Sequence, residues 1–377
     1  MKKLLFQKFA KDTFKLFALL CLSIGLIVWV IQAVGFLDIV IEDGHSIYVY
    51  FFYSVLNFPK IISRIFPFVF FVSLFYQISQ YELKNELLIF WTNGINKIQF
   101  VNVVIGYSML LLFFQIFLSS YVSPLGQNEA RSFIRNSNID FFPSLIKEGK
   151  FIDTVSNLTI FIKSKDKDGN YINLFLKDDL KKQPNKSQII YAKKGKLINE
   201  DKTRYLQLYD GRVLDIDNKK VTNFSFDKIN FNLSMFDSKT TTFPKIQEIP
   251  SKLLVECLYY YYKKNINEFN KIKNFICKKE SLKIIKQEVL KRFYKPIYFP
   301  LLALLSCLLI FKSKESTNYN YFKFCLFTFI FFILIISEIS LRFASSNLVG
   351  MYFFIFFPIL SFLTVYTFLV TKFKNKI

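Results

Sequence analysis

The sequence predicts a membrane α-helical protein with six transmembrane helices, three before and three after an inserted all-β domain of jelly-roll type. Three observations predict it. Hydrophobic residues make up 52% of 377 positions, 48 of them Phe, and the mean hydropathy is positive, more apolar than a soluble core requires. The apolar residues gather into runs long enough to cross ~30 Å of hydrocarbon, which takes about 20 residues of helix. Between the third run and the fourth, run gives way to alternation, the mark of half-buried strands.

The runs fall, in order, at Phe14 to Gly35, Ile61 to Ile78, Ile98 to Val122, Pro296 to Phe311, Phe322 to Ser337 and Gly350 to Thr371. The fourth and fifth are short unless their Phe- and Tyr-rich flanks extend them. Ala33-Val34-Gly35 has the small-x-small form of a cleavage site behind a basic start. The run before it exceeds the ~7 to 15 residues of a signal peptide, so the first helix is expected to be retained.

Orientation follows from Lys and Arg in the short connections. Lys2, Lys3, Lys8 and Lys11 precede the first run; Lys84 and Lys97 follow the second; Lys312, Lys314 and Lys323 follow the fourth; Lys372, Lys374 and Lys376 follow the last. Phe36 to Phe58 has none, and Arg342 to Val349 has one. Both termini are therefore expected in the cytoplasm of a bacterial inner membrane, with the inserted domain in the periplasm.

Inside the insertion, Leu158 to Ile162 and Ile172 to Leu176 alternate around the turn-rich stretch Asp166 to Asn170, a hairpin signal. Further strands are expected at Gln188 to Ala192, at Arg204 to Tyr209, and at Arg212 to Ile216 across Asp210-Gly211. Phe224 and Phe226 share one parity, whereas Ile229, Phe231 and Leu233 share the other, which places a bulge or corner near Asp227-Lys228. From Lys252 to Lys291 turn residues vanish, and helices are expected to lead into the fourth run. An antiparallel sandwich or jelly roll followed by a helical connector fits this order.

Most chemistry is excluded. Gly149-Lys150 and Gly195-Lys196 have Ser144 and Ile190 where a P-loop needs its first Gly, so the chain has no nucleotide site of that type. His45 is the one His, which removes paired-His zinc chemistry and leaves no partnered triad, so no catalytic residue, metal or cofactor is expected. The formal charge of +22 is mostly Lys without any nucleic-acid motif, and no nucleic-acid partner is expected. Cys21, Cys307 and Cys325 lie in apolar runs, while Cys257 and Cys277 lie in the insertion and could pair.

Between the second and third runs, Tyr81 to Glu86 leads into Leu87-Leu88-Ile89-Phe90-Trp91 before Gly94. This segment is too apolar to lie bare in cytosol and too short to span. It should be a short helix at the membrane face, either docking a partner through Glu86 or resting there with Trp91 as a headgroup anchor.

Asn85 to Gly94 resembles the S-E-L-x-x-M-x-A-x-G coupling-helix signature of the LptF/LptG permeases, with Glu86, Leu87 and Gly94 matching, Asn85 for the usual Ser and Phe90 for the usual Met. Lys291 to Ile297 is similar to the R-R-L-x-x-P-L entering that family's fourth helix, and Ser123 to Gln127 to the close of its third. Glu148 to Phe151 and Leu158 to Asp179 look more like the LptF member than LptG. The resemblance implies a subunit that extracts lipopolysaccharide from the inner membrane and passes it to a periplasmic bridge of LptC type. Its partners would be a homologous six-helix subunit and a cytoplasmic ATPase dimer, LptB. Glu86, Leu87, Phe90 and Gly94 would couple to that ATPase.

An anionic lipid should meet cations at the outer helix ends, and Lys60, Arg64, Lys291, Arg292, Lys295 and Arg342 form such a rim. Each could instead snorkel or pair, as Glu338 could with Arg342 four residues on. The family's basic residues near the outer end of helix one are missing, where Gln32, Asp38, Glu42 and Asp43 stand. Acyl chains need an apolar path, which the sandwich interior at Phe224, Phe226 and Phe231 could supply or merely fill as core. The expected domains are 1–122 with a coupling helix at 79–94, a β domain at 123–245, a connector at 246–292, and the last three helices at 293–377. The competing readings are the LptG-type partner subunit, an exporter subunit of MacB or FtsX type, whose outer domain would follow helix one, and an envelope receptor without ATPase coupling.

Overall fold

A computed structural model describes residues 2–37, 40, 46–136, 148–155, 158–166, 169–179, 186–200, 203–217, 220–232, 245–263, 277 and 281–374. Among them, six helices are long and apolar enough to cross a membrane: Lys2–Gly35, Ile47–Leu83, Lys97–Ile134, Leu282–Phe311, Tyr319–Ser346 and Leu348–Phe373. All six outrun the predicted stretches because helix continues through polar flanks that a hydropathy window discards. The chain divides into two compact units, one of Met1–Gln32, Leu56–Asn128 and Lys245–Ile377, the other of Ala33–Val55 and Glu129–Pro244.

The first unit holds the long helices α1 (Lys2–Gly35), α3 (Phe58–Leu83), α5 (Lys97–Phe117), α10 (Tyr319–Ser346) and α11 (Leu348–Lys374). It also holds the short helices α4 (Glu86–Thr92), α7 (Ser251–Tyr262), α8 (Leu282–Val289) and α9 (Tyr298–Cys307). Helix α9 is its axis, with all ten residues buried. Phe299 stacks against Phe66 and Phe70 of α3 at 5.7 and 5.1 Å, so the abundant Phe does pack as core in the middle of the unit. Toward the rim it faces outward: α1 exposes Leu19, Leu22, Ile27 and Ile31, and α11 exposes Phe356, Leu360 and Leu363. Such faces are stable where the surroundings are themselves apolar.

Two helices pass through single π turns at corresponding heights, α5 at Leu118–Val122 and α8 at Leu290–Tyr294. The turns meet, Ser119 Oγ donating to the Arg292 carbonyl at 3.0 Å. A π turn frees carbonyls for such side-chain partners. The described parts of the connector are helical, as expected, and Cys257 of α7 is joined to Cys277 by a disulfide. Both cysteines are buried with Ile249, Leu254 and Ile285.

In the second unit α2 (Ile47–Leu56) occupies a stretch read from sequence as a plain loop. Tyr50 donates to the Ala33 carbonyl at 3.1 Å, and Phe52 stacks on Phe133 of α6 (Ser123–Asn136) at 5.4 Å. The strands are β1 (Phe151–Val155), β2 (Leu158–Lys165), β3 (Tyr171–Asp179), β4 (Lys186–Glu200), β5 (Thr203–Asp217) and β6 (Lys220–Asn232). They form one antiparallel sheet in chain order, each strand bonded to its sequence neighbours. The antiparallel all-β character is as read. A second sheet and the crossed connections of a jelly roll do not occur among the described residues.

One sequence reading changes here. Asp210-Gly211 joins no two strands: β5 runs straight through it with Asp210 left-handed at φ 48°. Near Asp227 the expected irregularity is present and extends across four strands. Ile172 pairs with Lys194 and Leu174 with Ala192; Ala192 pairs with Gly211 and Lys194 with Tyr209; Tyr209 pairs with Lys228 and Gly211 with Phe226. Asn173, Lys193, Asp210 and Asp227 therefore face one another along a line where the ladder is interrupted. The register is the same on both sides, so no residue is inserted and the feature is a corner, not a bulge. It resets parity: Tyr171 and Leu174, three residues apart, are buried in the same core, which Phe226 and Ile229 also join.

Gly211 is held to glycine by space. A Cβ there would lie 2.3 Å from the Tyr191 carbonyl oxygen and 2.3 Å from the Phe226 ring. Gly211→Ala is expected to destabilise the sheet by about 1–3 kcal/mol, seen as faster limited proteolysis within residues 151–232 of the detergent-purified chain. Gly35→Ala, where a Cβ meets nothing within 4 Å, should leave the cleavage rate unchanged.

Candidate functional site

At the first-turn end of α3, helices of the first unit enclose a polar chamber of about 330 Å³. Lys60, Ser63 and Arg64 of α3 line it with Gln115, Ser119, Ser123 and Gln127, Gln247 of the connector, Glu288, Lys291, Arg292 and Lys295 around the second π turn, and Glu338 and Arg342 of α10. It brings together all six cations of the predicted rim. They stand against two carboxylates, Glu288 and Glu338, so the wall keeps an excess of about four positive charges. Cations gathered at low dielectric attract an anion strongly.

The cations differ in what they are free to do. Arg292 is 1% exposed. Its Nε donates to Glu288 at 3.1 Å, Nη1 to the Ile249 carbonyl and Ser251 Oγ at 2.9 Å each, and Nη2 to the Gln247 carbonyl at 2.8 Å. That set of bonds ties the connector to the fourth span, a structural duty for the planar guanidinium fork. Lys291 also reaches Glu288, at 3.3 Å. Lys295 is ion-paired with Glu338. The Glu338–Arg342 pair expected from i, i+4 spacing gives way to this partner from another helix. Arg64 makes one long bond to Gln247 Oε1 at 3.4 Å.

Sequence reasoning passed over the chamber's neutral polar wall. Gln115 Nε2 donates to the Ser63 carbonyl at 2.8 Å and Gln127 Nε2 to the Ser123 carbonyl at 3.0 Å, which fixes both amides and leaves each buried Oε1 without a donor. The signal was available, since Gln inside an apolar span is costly unless it faces a polar interior.

At the opposite end of α3 lies α4. Asn85, left-handed at φ 60°, turns the chain into it, and Gly94 at φ 70° turns the chain out. Leu87 and Phe90 are buried, Phe90 packing edge-on to Phe6 at 5.5 Å and Phe100 at 5.4 Å. Leu88 and Ile89 face outward at 58% and 46% exposure. Glu86 is ion-paired with Lys8 of α1 at 2.9 Å, Lys2 Nζ donates to the Gly94 carbonyl at 2.9 Å, and Tyr81 donates to Asp12 Oδ2 at 2.7 Å. Of the four predicted coupling residues, Glu86 is on the open side, Leu87 and Phe90 anchor the helix from within, and Gly94 supplies its exit. Leu88 and Ile89 are an outward apolar pair that the motif alone does not single out.

The three aromatic residues proposed for the sheet interior project to its core side, opposite Val213, Gly211 and Leu206. Phe231 is buried, Phe226 packs half-buried against the core, and Phe224 is exposed on the edge strand. Asp38, Glu42, Asp43 and His45 lie outside the described residues.

The family model for the lipopolysaccharide export system permease LptF/LptG matches residues 9–372, nearly the whole chain. The chain belongs to this family. An uncharacterized protein of Rickettsia prowazekii (strain Madrid E) is 25% identical over 240 residues, which cover 63% of this chain and 66% of that protein, just under two thirds of its length. Membership in the LptF/LptG family and the six apolar helices together support a multi-pass inner-membrane protein.

In this LptF/LptG chain the Arg292 fork should be the least replaceable member of the chamber. Arg292→Met removes the guanidinium from Glu288 Oε1 and from two buried carbonyls and is expected to cost about 3–5 kcal/mol. Arg292→Lys should recover little, because a point charge cannot serve three directions. Thermal unfolding in detergent checks both, and retention of the full transition temperature by Arg292→Lys would contradict the clamp.

Proposed function

We propose that the chain is the LptF-type permease subunit of an ABC transporter that extracts lipopolysaccharide from the inner membrane and passes it toward the outer membrane. The single observation that carries the reading beyond family membership is the cationic chamber. An anionic headgroup held there would be neutralised by Lys60, Arg64 and Arg342, with Lys295 released to it when Glu338 is displaced. Arg292 would act by positioning the wall. In this reading residues 1–122 and 293–377 form the two helical halves, 123–245 a periplasmic β domain of jelly-roll type, and 246–292 the periplasmic connector. A periplasmic connector is consistent with its disulfide, since disulfides persist in oxidising compartments. Both termini and α4 then face the cytoplasm.

A chain with no nucleotide motif that moves a lipid must take free energy from a partner. The proposed partner is a cytoplasmic ATPase dimer docking on Glu86, Leu88 and Ile89, with Leu87, Phe90 and Gly94 holding the helix in place. A homologous six-helix subunit and an LptC-type bridge would complete the complex. The β-domain path would run along the core side at Phe226 and Phe231, with Phe224 at its open edge.

Purification from membranes in mild detergent, followed by mass spectrometry of proteins and lipids, tests this. Recovery of a soluble ATPase, a sister subunit and lipopolysaccharide is expected. The double variant Leu88→Asp, Ile89→Asp should lose the ATPase at least about tenfold, equivalent to 1.4 kcal/mol, and keep the sister subunit. Lys60→Glu with Arg342→Glu should keep both proteins and lose the lipid. The chain recovered alone with ordinary phospholipids would sink the export reading.

A further inference from the structure

The sheet carries a second aromatic surface, on the face away from its core. Register places Phe151 opposite Phe161, Phe161 opposite Phe175, Phe175 opposite Tyr191, and Tyr191 opposite Arg212. Four rings and a guanidinium thus form one row across five strands. Phe151 and Phe161 lie 4.7 Å apart and Phe175 and Tyr191 5.2 Å apart, centre to centre. Core packing does not account for the row, because the core uses the alternate residues Ile160, Ile162, Leu174, Leu176, Ile190 and Ala192. Phe151 is 67% exposed and Tyr191 47%. A contiguous exposed aromatic patch beside a complete core marks a binding surface.

The row floors a concavity of about 850 Å³, which Phe226 also lines where the sheet turns its corner. Its wall is the corner line Asn173, Lys193, Asp210 and Asp227, all exposed, and Arg212 closes the row. None of these five side chains has a hydrogen bond or ion pair among the described residues. Two cations and two carboxylates cancel, so the groove has no net field. An anionic lipid surface would find no basic cluster there, and an acyl chain would face charges on the wall. Flat rings below, with an amide, two carboxylates and two cations along the side, suit a ligand with apolar C–H faces and a rim of hydroxyl groups that both donate and accept.

We propose that this groove binds a saccharide: sugar rings lie on Phe151, Phe161, Phe175 and Tyr191, and their hydroxyls bond Asn173, Asp210, Asp227 and Arg212. Taking that saccharide to be the glycan of the exported glycolipid rests on the export reading above. The glycan would then ride on the outer face of the sheet while the acyl chains follow the core side.

Saturation-transfer NMR tests this with the full chain in detergent and the delipidated oligosaccharide of lipopolysaccharide as probe. Signal on the sugar ring protons is expected, with binding at least about tenfold weaker in Phe151→Ala, Tyr191→Ala and close to unchanged in Tyr191→Phe, which keeps the stacking face. Both positions are exposed, and an unchanged proteolysis pattern of the sheet verifies that the variants fold. Absence of transfer, or transfer unaltered in the double alanine variant, overturns the proposal. So does a double variant that changes only association with phospholipid vesicles or with the sister subunit. The probe has no acyl chains, so failure of lipid co-purification would sink the export reading and leave this result standing.

Discussion

Hydrocarbon offers no hydrogen bonds, so each backbone polar group in a spanning segment must be satisfied within the protein. That constraint orders the whole first unit. Helices run on through their polar flanks, helix α9 is buried along its full length, and Phe fills the space between α9 and α3. Polar side chains within the spans gather where a helix departs from regularity. The two π turns meet at such a place, and the chamber opens beside them. One residue, Arg292, spends its donors on connector carbonyls and on Glu288, so the wall of the chamber and the attachment of the connector are the same structure.

The opposite end of α3 is built by the same economy. Helix α4 is only seven residues long and would not persist in water by itself. It is held by the burial of Leu87 and Phe90 against Phe6 and Phe100, and by three polar links to α1 and its neighbours. Its outward face carries apolar residues, Leu88 and Ile89, that are exposed among the described residues. The helix is fastened to the N-terminal end of α1, the least buried of the spans.

In the sheet, a single line of interrupted pairs lets one face hold the core and the other align a row of aromatic rings. Without the corner, strict alternation would put Tyr171 and Leu174, or Phe226 and Ile229, on opposite sides. With it they share one core, and the opposite face is released to align Phe151, Phe161, Phe175 and Tyr191.

The sequence by itself determined the features whose cause is local: the six spans, from runs of apolar residues; the strands, from alternation; the hairpin at Asp166 to Asn170; and the corner near Asp227, from a parity slip. Basic residues near helix ends were legible as a set because apolar surroundings make each of them conspicuous. Only the tertiary structure decided what depends on a distant partner. Asp and Gly in succession signal a turn and a left-handed strand position equally well, and pairing of β5 with β4 and β6 along its length selected the second. Spacing offered Arg342 to Glu338, yet packing of α10 against the fourth span supplied Lys295. The pairing of Cys257 with Cys277, the clamp at Arg292 and the outward turn of Leu88 and Ile89 were undecidable for the same physical reason. A short sequence window fixes what a residue prefers, whereas its contacts are set by chain segments that the window does not contain.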